Sequence, residues 1–451
     1  MKRYFGTDGI RTQAGHFPLQ PAPLEALGAA LANELARRHA AAPRIVIGGD
    51  TRESTAWIAA CFARGVEAVG GTVACAGVIP TPGVAFLAKT GGFHAGVVVS
   101  ASHNPFEDNG IKIFLPSGEK QDDDLERLLE AALEPLAVPT GPVVPDDIAP
   151  LWDDPALGLS YMEFLTRKVG EDLDLSKFTI ALDCANGAAS FYASTVFQAL
   201  GARTFVTAAS PDGRNINLDC GSLHLEHLSD FVREVGADFG VAFDGDADRC
   251  LMVDAGGTPV DGDAILFLMA NHFDARGELT PRAVVATVMS NLGLEVALRD
   301  RGIELRRTAV GDKYVLEDLL NTGAVVGGEQ SGHVIFPRRS LAGDGLMTAL
   351  TVVGALADMK TTLRDALAGF QTFPQILVNI RVREKVPFEQ VPAIAAAARE
   401  TEAHFADRGR LLLRYSGTEN LARVMIEGEH KADVIDRAHA LADIIRRELG
   451  A

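Results

Sequence analysis

The chain has 451 residues, 47% hydrophobic and 23% charged, so it is long enough for several domains and apolar enough to bury real cores. Its net charge of −18 argues against a nucleic-acid binder but leaves room for a locally basic cleft that takes a small phosphorylated ligand. Five cysteines, at 61, 75, 184, 220 and 250, form no close pair, and neither a signal-peptide core nor a membrane-length apolar run is present, so a reduced, cytoplasmic protein is expected.

Short β-branched runs alternate with longer Ala/Leu-rich runs, which predicts α/β units. Leu24, Leu27, Leu31 and Leu35 form one stripe of a helix over 24–38. RIVIGGD (44–50), TVACAGVIPTP (72–82) and GVVVSAS (96–102) read as strands that deliver loops. Asp122-Asp123-Asp124 reads as a solvated helix start, and the five prolines of 135–153 resist regular structure. TIALDCANGAAS (179–190) and VVATVMSNLGLE (284–295) repeat the strand, turn and helix outline, and the apolar stretch 346–357 reads as a buried helix. The tail from about 371, with strands near 373–390 and 411–428 and a final helix from about 431, has the look of a small α+β domain. These patterns divide the chain at 1–154, 155–259, 260–370 and 371–451: three related mixed α/β domains and a smaller α+β domain.

Four loops carry groups suited to chemistry. In Ser100-Ala101-Ser102-His103-Asn104-Pro105 an apolar strand stops in hydroxyl, imidazole and amide groups, and small neighbours leave Ser102 exposed. Asn109-Gly110 is expected to make a tight turn that returns Lys112 toward that loop. A polar surface hairpin fits the same residues. Asp244, Asp246 and Asp248 alternate with Gly245 and Ala247 before Arg249, and three carboxylates so spaced repel one another unless a cation lies among them. Hard oxygen ligands favour Mg²⁺ or Ca²⁺ over zinc, but the calcium-loop pattern fails, because Arg249 and Ala255 stand where it needs Gly and Glu.

Arg414, Ser416, Gly417, Thr418 and Arg423 combine guanidinium groups, hydroxyls and a glycine suited to a phosphate monoester. Gly327-Gly328-Glu329-Gln330-Ser331-Gly332-His333 offers polar side chains to sugar hydroxyls, with Glu329 also able to meet an amine. Arg11 and Arg52 are softer candidates for a phosphate contact, while Asp183 and Asn186 are expected to tie down a turn.

FGTDGIR (5–11), SASHNP with NGIKIF (100–114), DGDADR (244–249), GGEQSGH (327–333) and RYSGTENLAR (414–423), in this order, resemble the α-D-phosphohexomutase superfamily over nearly the whole chain. Gln330 and the segment 211–224 resemble its bacterial phosphoglucosamine mutase branch. Asn420 and Thr12 depart from the superfamily pattern, where proline and glycine are usual, without removing a proposed ligand.

The resemblance implies four domains around a central cleft, with a phosphoserine at Ser102 and Mg²⁺ held by that phosphoserine and Asp244, Asp246 and Asp248. Glu329, Ser331 and His333 would contact the sugar, Arg414, Ser416, Gly417, Thr418 and Arg423 would hold the non-reacting phosphate, and Arg249 would stabilise the reacting end. The reaction implied is the interconversion of glucosamine 6-phosphate and glucosamine 1-phosphate through a hexosamine 1,6-bisphosphate, in amino-sugar and cell-envelope precursor synthesis. His103, Lys112 and Arg11 stay open as the general base. The expected partner is a small phosphosugar, without nucleic acid or membrane, and a homodimer is compatible with it. A mutase of broader hexose specificity is the alternative. An aspartyl-phosphate enzyme would want DxDxT or DxDxV, and a non-catalytic sugar-phosphate binder should have lost Ser102 or a metal aspartate, yet both are intact.

Overall fold

The computed structural model describes residues 4–6, 8–137, 141–416 and 420–451. They form two compact units, residues 1–289 with 306–368, and residues 290–305 with 369–451.

In the first unit, β1 (Phe5–Gly6), β2 (Gly9–Gln13), β3 (Arg44–Gly49), β4 (Thr72–Val78), β5 (Ala95–Val99) and β6 (Asp108–Phe114) make a sheet of order β1-β2-β6-β5-β3-β4. The GVVV run is apolar at every position because β5 is an inner strand, parallel to β3 and antiparallel to β6, and buried throughout. The Leu24, Leu27, Leu31 and Leu35 stripe is buried along the helix Pro21–His39.

A second sheet holds β7 (Thr179–Asp183), β8 (Arg203–Thr207), β9 (Phe239–Phe243), β10 (Cys250–Asp254) and β11 (Pro259–Val260), in the order β11-β10-β9-β7-β8. A third holds β12 (Ala283–Thr287), β13 (Glu304–Thr308), β14 (Gly327–Gly328) and β15 (Val334–Ile335), in the order β13-β12-β14-β15. Asp122 caps the helix Asp123–Leu133 by accepting from Leu125 N, and the expected helix over 346–357 is the buried helix Gly345–Met359. No helix among the described residues is long and apolar enough to cross a membrane.

In the second unit, β16 (Gln375–Arg381), β17 (Gly409–Tyr415) and β18 (Leu421–Gly428) form an antiparallel sheet of order β16-β18-β17. Ile380, Val424 and Ile426 of this sheet share a core with Ile394 and Phe405 of the helix Pro392–Phe405 and with Val434, Leu441 and Ile445 of the helix Lys431–Leu449.

One local expectation fails. Asn109 and Gly110 make no turn; they lie within β6, opposite Thr12 and Arg11 of β2. The chain reverses instead through 100–107, and Arg52 explains how so long a loop stays ordered. Its buried guanidinium pairs with Asp50 at 2.9 Å and donates to the carbonyls of Ser102 (3.0 Å), Asn104 (2.8 Å), Asp108 (2.9 Å) and Pro105. Arg52 is therefore a brace for the backbone rather than a phosphate contact.

Candidate active site

β9 and β10 are joined by Asp244–Arg249, and the turn places all three aspartates in the interior. Their nearest carboxylate oxygens lie within 4.8 Å of one another. Gly245 is required here, since a Cβ would stand 2.6 Å from the Ser102 carbonyl oxygen. That approach brings the loop after β5 against the loop after β9. Ser102 has a left-handed backbone, φ 54°, and its Oγ donates to Asp244 Oδ2 at 2.6 Å and lies 3.3 Å from His103 Nδ1. The expectation of an exposed Ser102 is corrected: the residue is fully buried, because the Asp244 loop covers it.

Cations surround the carboxylates. Lys112 reaches them from β6, with Nζ 2.8 Å from Asp246 Oδ2, 3.2 Å from Asp248 Oδ2 and 3.1 Å from Asp8 Oδ2. Burial alone would lower its pKa, but Asp246, Asp8 and Asp248 outweigh burial and raise it well above the ordinary lysine value. Burial, with Asp248 and Asp246 nearby, drives the Asp244 carboxyl well above the usual range. Asp248 goes the other way: burial opposes ionisation, yet Lys112 and His333 hold it well below. His103 is held at about 4 by burial and by the Arg249 and Arg11 charges, so its imidazole is neutral at neutral pH. Arg249 Nε is 3.9 Å from both Asp244 and Asp248, while Arg11 pairs with Asp8.

Around β14, Glu329 Oε1 accepts from Gly311 N at 3.1 Å. His333 lies beside Asp248 and Asp312, 3.6 Å from each, and these carboxylates overcome burial to lift its pKa to about 9. Ser331 Oγ is buried without a hydrogen-bond partner among the described residues. Gln330 donates to Asp261 at 3.1 Å, so it acts on the loop's shape.

Ser102, His103, Lys112, Arg11, Arg249, the three aspartates and His333 thus belong to one charged cluster of the first unit, with Glu329 and Ser331 in the adjoining loop. Arg414, Ser416 and Arg423 lie in the second unit, with Arg414 directly opposite Arg423 on β17 and β18. Gly417 and Thr418 lie outside the described residues.

The phosphoglucomutase/phosphomannomutase pattern matches in four pieces: alpha/beta/alpha domain I at residues 2–137, domain II at 160–257, domain III at 261–373 and the C-terminal domain at 377–444. Proteins named phosphoglucosamine mutase from Koribacter versatilis and Solibacter usitatus are 47% and 48% identical, over 100% of this chain and 98% and 99% of theirs. The chain belongs to the phosphoglucomutase/phosphomannomutase family. Solved structures share the fold at lower identity. A family protein from Burkholderia thailandensis superposes with a TM-score of 0.77 at 24% identity, covering 100% of both chains. The Aspergillus fumigatus N-acetylphosphoglucosamine mutase, solved in complex with GlcNAc-6P and magnesium, superposes with a TM-score of 0.63 at 19% identity, covering 99% of this chain and 96% of that one.

This phosphoglucomutase/phosphomannomutase family member has a donor set that fits a hard divalent cation. Asp246 Oδ1 and Asp248 Oδ1 are buried without a hydrogen-bond partner among the described residues, and the set is entirely oxygen.

Several residues of the first unit's cluster, and one beside Ser416 in the second unit, escaped sequence reading. Thr81 donates through Oγ1 to Asp246 Oδ2 at 2.6 Å, and Asn217 donates to the carbonyls of Ser102 (2.9 Å) and Asn104 (3.1 Å). Asp8 lies between Lys112 and Lys120, and Lys385 donates to the Ser416 carbonyl at 2.8 Å. Asp8 alone had a signal, a carboxylate three residues before Arg11 within a motif already singled out. Asp183 and Asn186 tie down their turn as expected, accepting from the backbone N–H groups of Ala185, Gly221 and Ser210.

Proposed function

We propose that this chain is a phosphoglucosamine mutase that interconverts glucosamine 6-phosphate and glucosamine 1-phosphate through phospho-Ser102. The observation that carries this reading is the seating of Ser102 Oγ against a buried triad of carboxylates, in a chain almost half identical, end to end, to proteins of that name.

The phosphoserine P–O bond breaks as sugar O1 attacks the phosphorus, and the O1 proton passes to a base. The 1,6-bisphosphate then turns around, Ser102 Oγ attacks the 6-phosphorus as its P–O6 bond breaks, and the leaving O6 takes up a proton from the protonated base while the serine gives up its own. Asp244, Asp246 and Asp248, with the phosphoserine, would hold Mg²⁺, which would supply positive charge to stabilise the phosphoryl group in transfer. His103 is the base that the electrostatics favour: it is neutral and adjacent to Ser102 Oγ, whereas Lys112 is held protonated by its carboxylates and Arg11 is engaged with Asp8. Lys112 and Arg249 serve as cations at the reacting end.

Glu329, Ser331 and His333 are assigned to the sugar, and Arg414, Ser416, Gly417, Thr418 and Arg423 to the phosphate that does not react. With this assignment 1–154 carries the phosphoserine, 155–259 the metal, 260–370 the sugar-reading loop and 371–451 the phosphate grip. A hexosamine 1,6-bisphosphate serves as intermediate and activator.

Side-by-side kcat/KM values for the 6-phosphates of glucosamine, glucose and mannose test the substrate. The glucosamine compound is expected to lead by roughly 10- to 100-fold, the scale of a few hydrogen bonds to the 2-substituent. Equal or better turnover of mannose 6-phosphate would move the chain to the broader hexose mutases, and binding without turnover would make it a sensor.

A further inference from the structure

Lys120 stands outside every motif that pointed to chemistry, yet it occupies the centre of the charged cluster. After β6 the chain turns through Gly118, φ 87°, and comes back so that Lys120 bridges to Phe114 at the foot of the strand that carries Lys112. From there its ammonium meets two carboxylates. One is Asp8, whose Oδ2 lies 3.1 Å from Lys112 Nζ and so joins Lys120 to the Asp246 and Asp248 side of the site. The other is Asp312, 2.5 Å away and 192 residues distant in the chain.

Asp312 opens the helix Asp312–Thr322 beside the third sheet. Its neighbour Gly311 donates to Glu329 Oε1, and its Oδ2 is 3.6 Å from His333 Nε2. The Lys120–Asp312 pair therefore joins the hairpin of Lys112 to the loop that carries Glu329 and His333. Alongside, Asp123 pairs with Lys313 at 2.7 Å, so the two elements meet with their charges crossed. The two pairs differ in exposure, 18% and 15% for Lys120 and Asp312 against 44% and 51% for Lys313 and Asp123. The inner pair carries the coupling, because solvent screens the outer one.

We propose that Lys120 and Asp312 are a positioning pair that fixes the Glu329–His333 loop at its distance from Ser102 and the three aspartates. The proposal rests on the mutase reading for its consequence. A mutase must keep its bisphosphate while that molecule turns around, and a loosened sugar-reading loop lets it escape. Neither side chain touches the reacting bond, so the effect falls on retention more than on the transfer step.

The test uses the full-length enzyme as Lys120→Met, Lys120→Arg and Asp312→Asn variants. Free glucosamine 1,6-bisphosphate released per turnover is measured by anion-exchange chromatography. Lys120→Met and Asp312→Asn are expected to release about tenfold more than the parent, and to depend on added bisphosphate for sustained turnover. Lys120→Arg should stay near the parent value, and the double variant should lose less than the sum of the two single ones, since the Lys120–Asp312 contact is common to both although Lys120 also meets Asp8. Parental release from a folded Lys120→Met or Asp312→Asn enzyme, or additive losses in the double variant, would overturn the proposal. If Lys120→Met does not fold, the isosteric Asp312→Asn decides alone.

Failure of the substrate reading is separable. Should another hexose phosphate prove the better substrate, the same ratio is measured with its bisphosphate. Deuterium exchange over 327–333 needs no substrate at all. It should be about tenfold faster in the neutralised variants, and unchanged exchange would refute the pair's role.

Discussion

The carboxylate cluster of the first unit and the Arg414–Arg423 strand pair of the second arrange their charges differently. In the first, signs alternate: Asp8, Lys112, Asp246, Asp248, Arg249 and His333 are buried or half-buried, and their partners are other side chains of the same cluster. In the second, Arg414 and Arg423 stand directly opposite each other on adjacent strands, so two like charges are neighbours. Burial and the Arg423 charge together lower the Arg414 pKa. A cluster of alternating sign fixes the geometry of its own groups before any ligand arrives. We propose that the two arginines, side by side on one hairpin, offer guanidinium groups to an anion that is bound, released and bound again. The contrast matches a mutase, in which one phosphate reacts while the other is only held.

The sharpest way to break the contrast is to remove the nucleophile. Ser102→Ala should lower turnover by ~10⁴-fold or more, since it removes the hydroxyl held against Asp244 that the mutase reading makes the phosphate carrier. Intact mass after incubation with a hexose 1,6-bisphosphate should show one added phosphoryl group in the parent and none in the variant. Phosphate retained by the alanine variant, with normal turnover, would place the nucleophile elsewhere.

Asp244→Asn probes the metal reading and stability together. Burial and two neighbouring carboxylates raise the Asp244 pKa, so its charge is costly until a cation arrives. In chelator the variant should melt no lower than the parent. Added Mg²⁺ should raise the Tm of the parent more than that of the variant, and kcat should fall by ~100-fold. A parent Tm indifferent to Mg²⁺, or full activity after chelation checked by elemental analysis, would remove the metal from the account.

These two sites were legible in the sequence to different depths. The grouping of Asp244, Asp246 and Asp248 could be read directly, because the three carboxylates alternate within five residues of the chain. The nearness of Arg414 and Arg423 was legible because one hairpin carries both. Thr81 was hidden, since it meets Asp246 across 165 residues, and so was Lys120, which meets Asp312 across 192. Small neighbours suggested an exposed Ser102, yet the Asp244 loop closes over it, a long-range approach with no local trace beyond Gly245. The Asn109-Gly110 turn failed for a related reason. A local preference was overridden by pairing with β2 and by the Asn109 amide donating to Ser54 at 2.8 Å.

Arg423→Ala tests the other half of the contrast. Losing a charge-assisted contact to phosphate should weaken substrate by about 1.5–3 kcal/mol, raising KM for both monophosphates by roughly 10- to 100-fold. Phosphoserine formation at high bisphosphate should persist, because the variant leaves the carboxylate cluster intact. If KM is unchanged for both substrates, the arginine pair serves only the sheet.

The smallest effect expected comes from a buried carboxylate whose hydrogen bonds come from a phenol and the backbone, and it calibrates what the cations do for the triad. Asp344 caps the helix Gly345–Met359, accepting from Met347 N and Tyr161 Oη, both at 2.9 Å, and Gly345 N in turn donates to the Ala247 carbonyl. Burial pushes its carboxyl up to about 6, although the backbone and Tyr161 bonds act to lower it. The folded state therefore holds this proton more tightly than the unfolded chain, where the value is 3.8. Its contribution is fully present below about 3.8 and is lost as pH rises through about 6, a span worth on the order of 3 kcal/mol. Asp344→Asn keeps an acceptor for the helix and carries no charge, so it escapes that loss. Thermal melts of both proteins at pH 4.5, 5.5 and 7.5 should show the variant gaining on the parent by roughly 2–5 °C across the series. A constant gap would mean that Asp344 ionises inside the fold at little cost. The cations around Asp246 and Asp248 would then have less to do for stability than the first unit's alternating charges suggest.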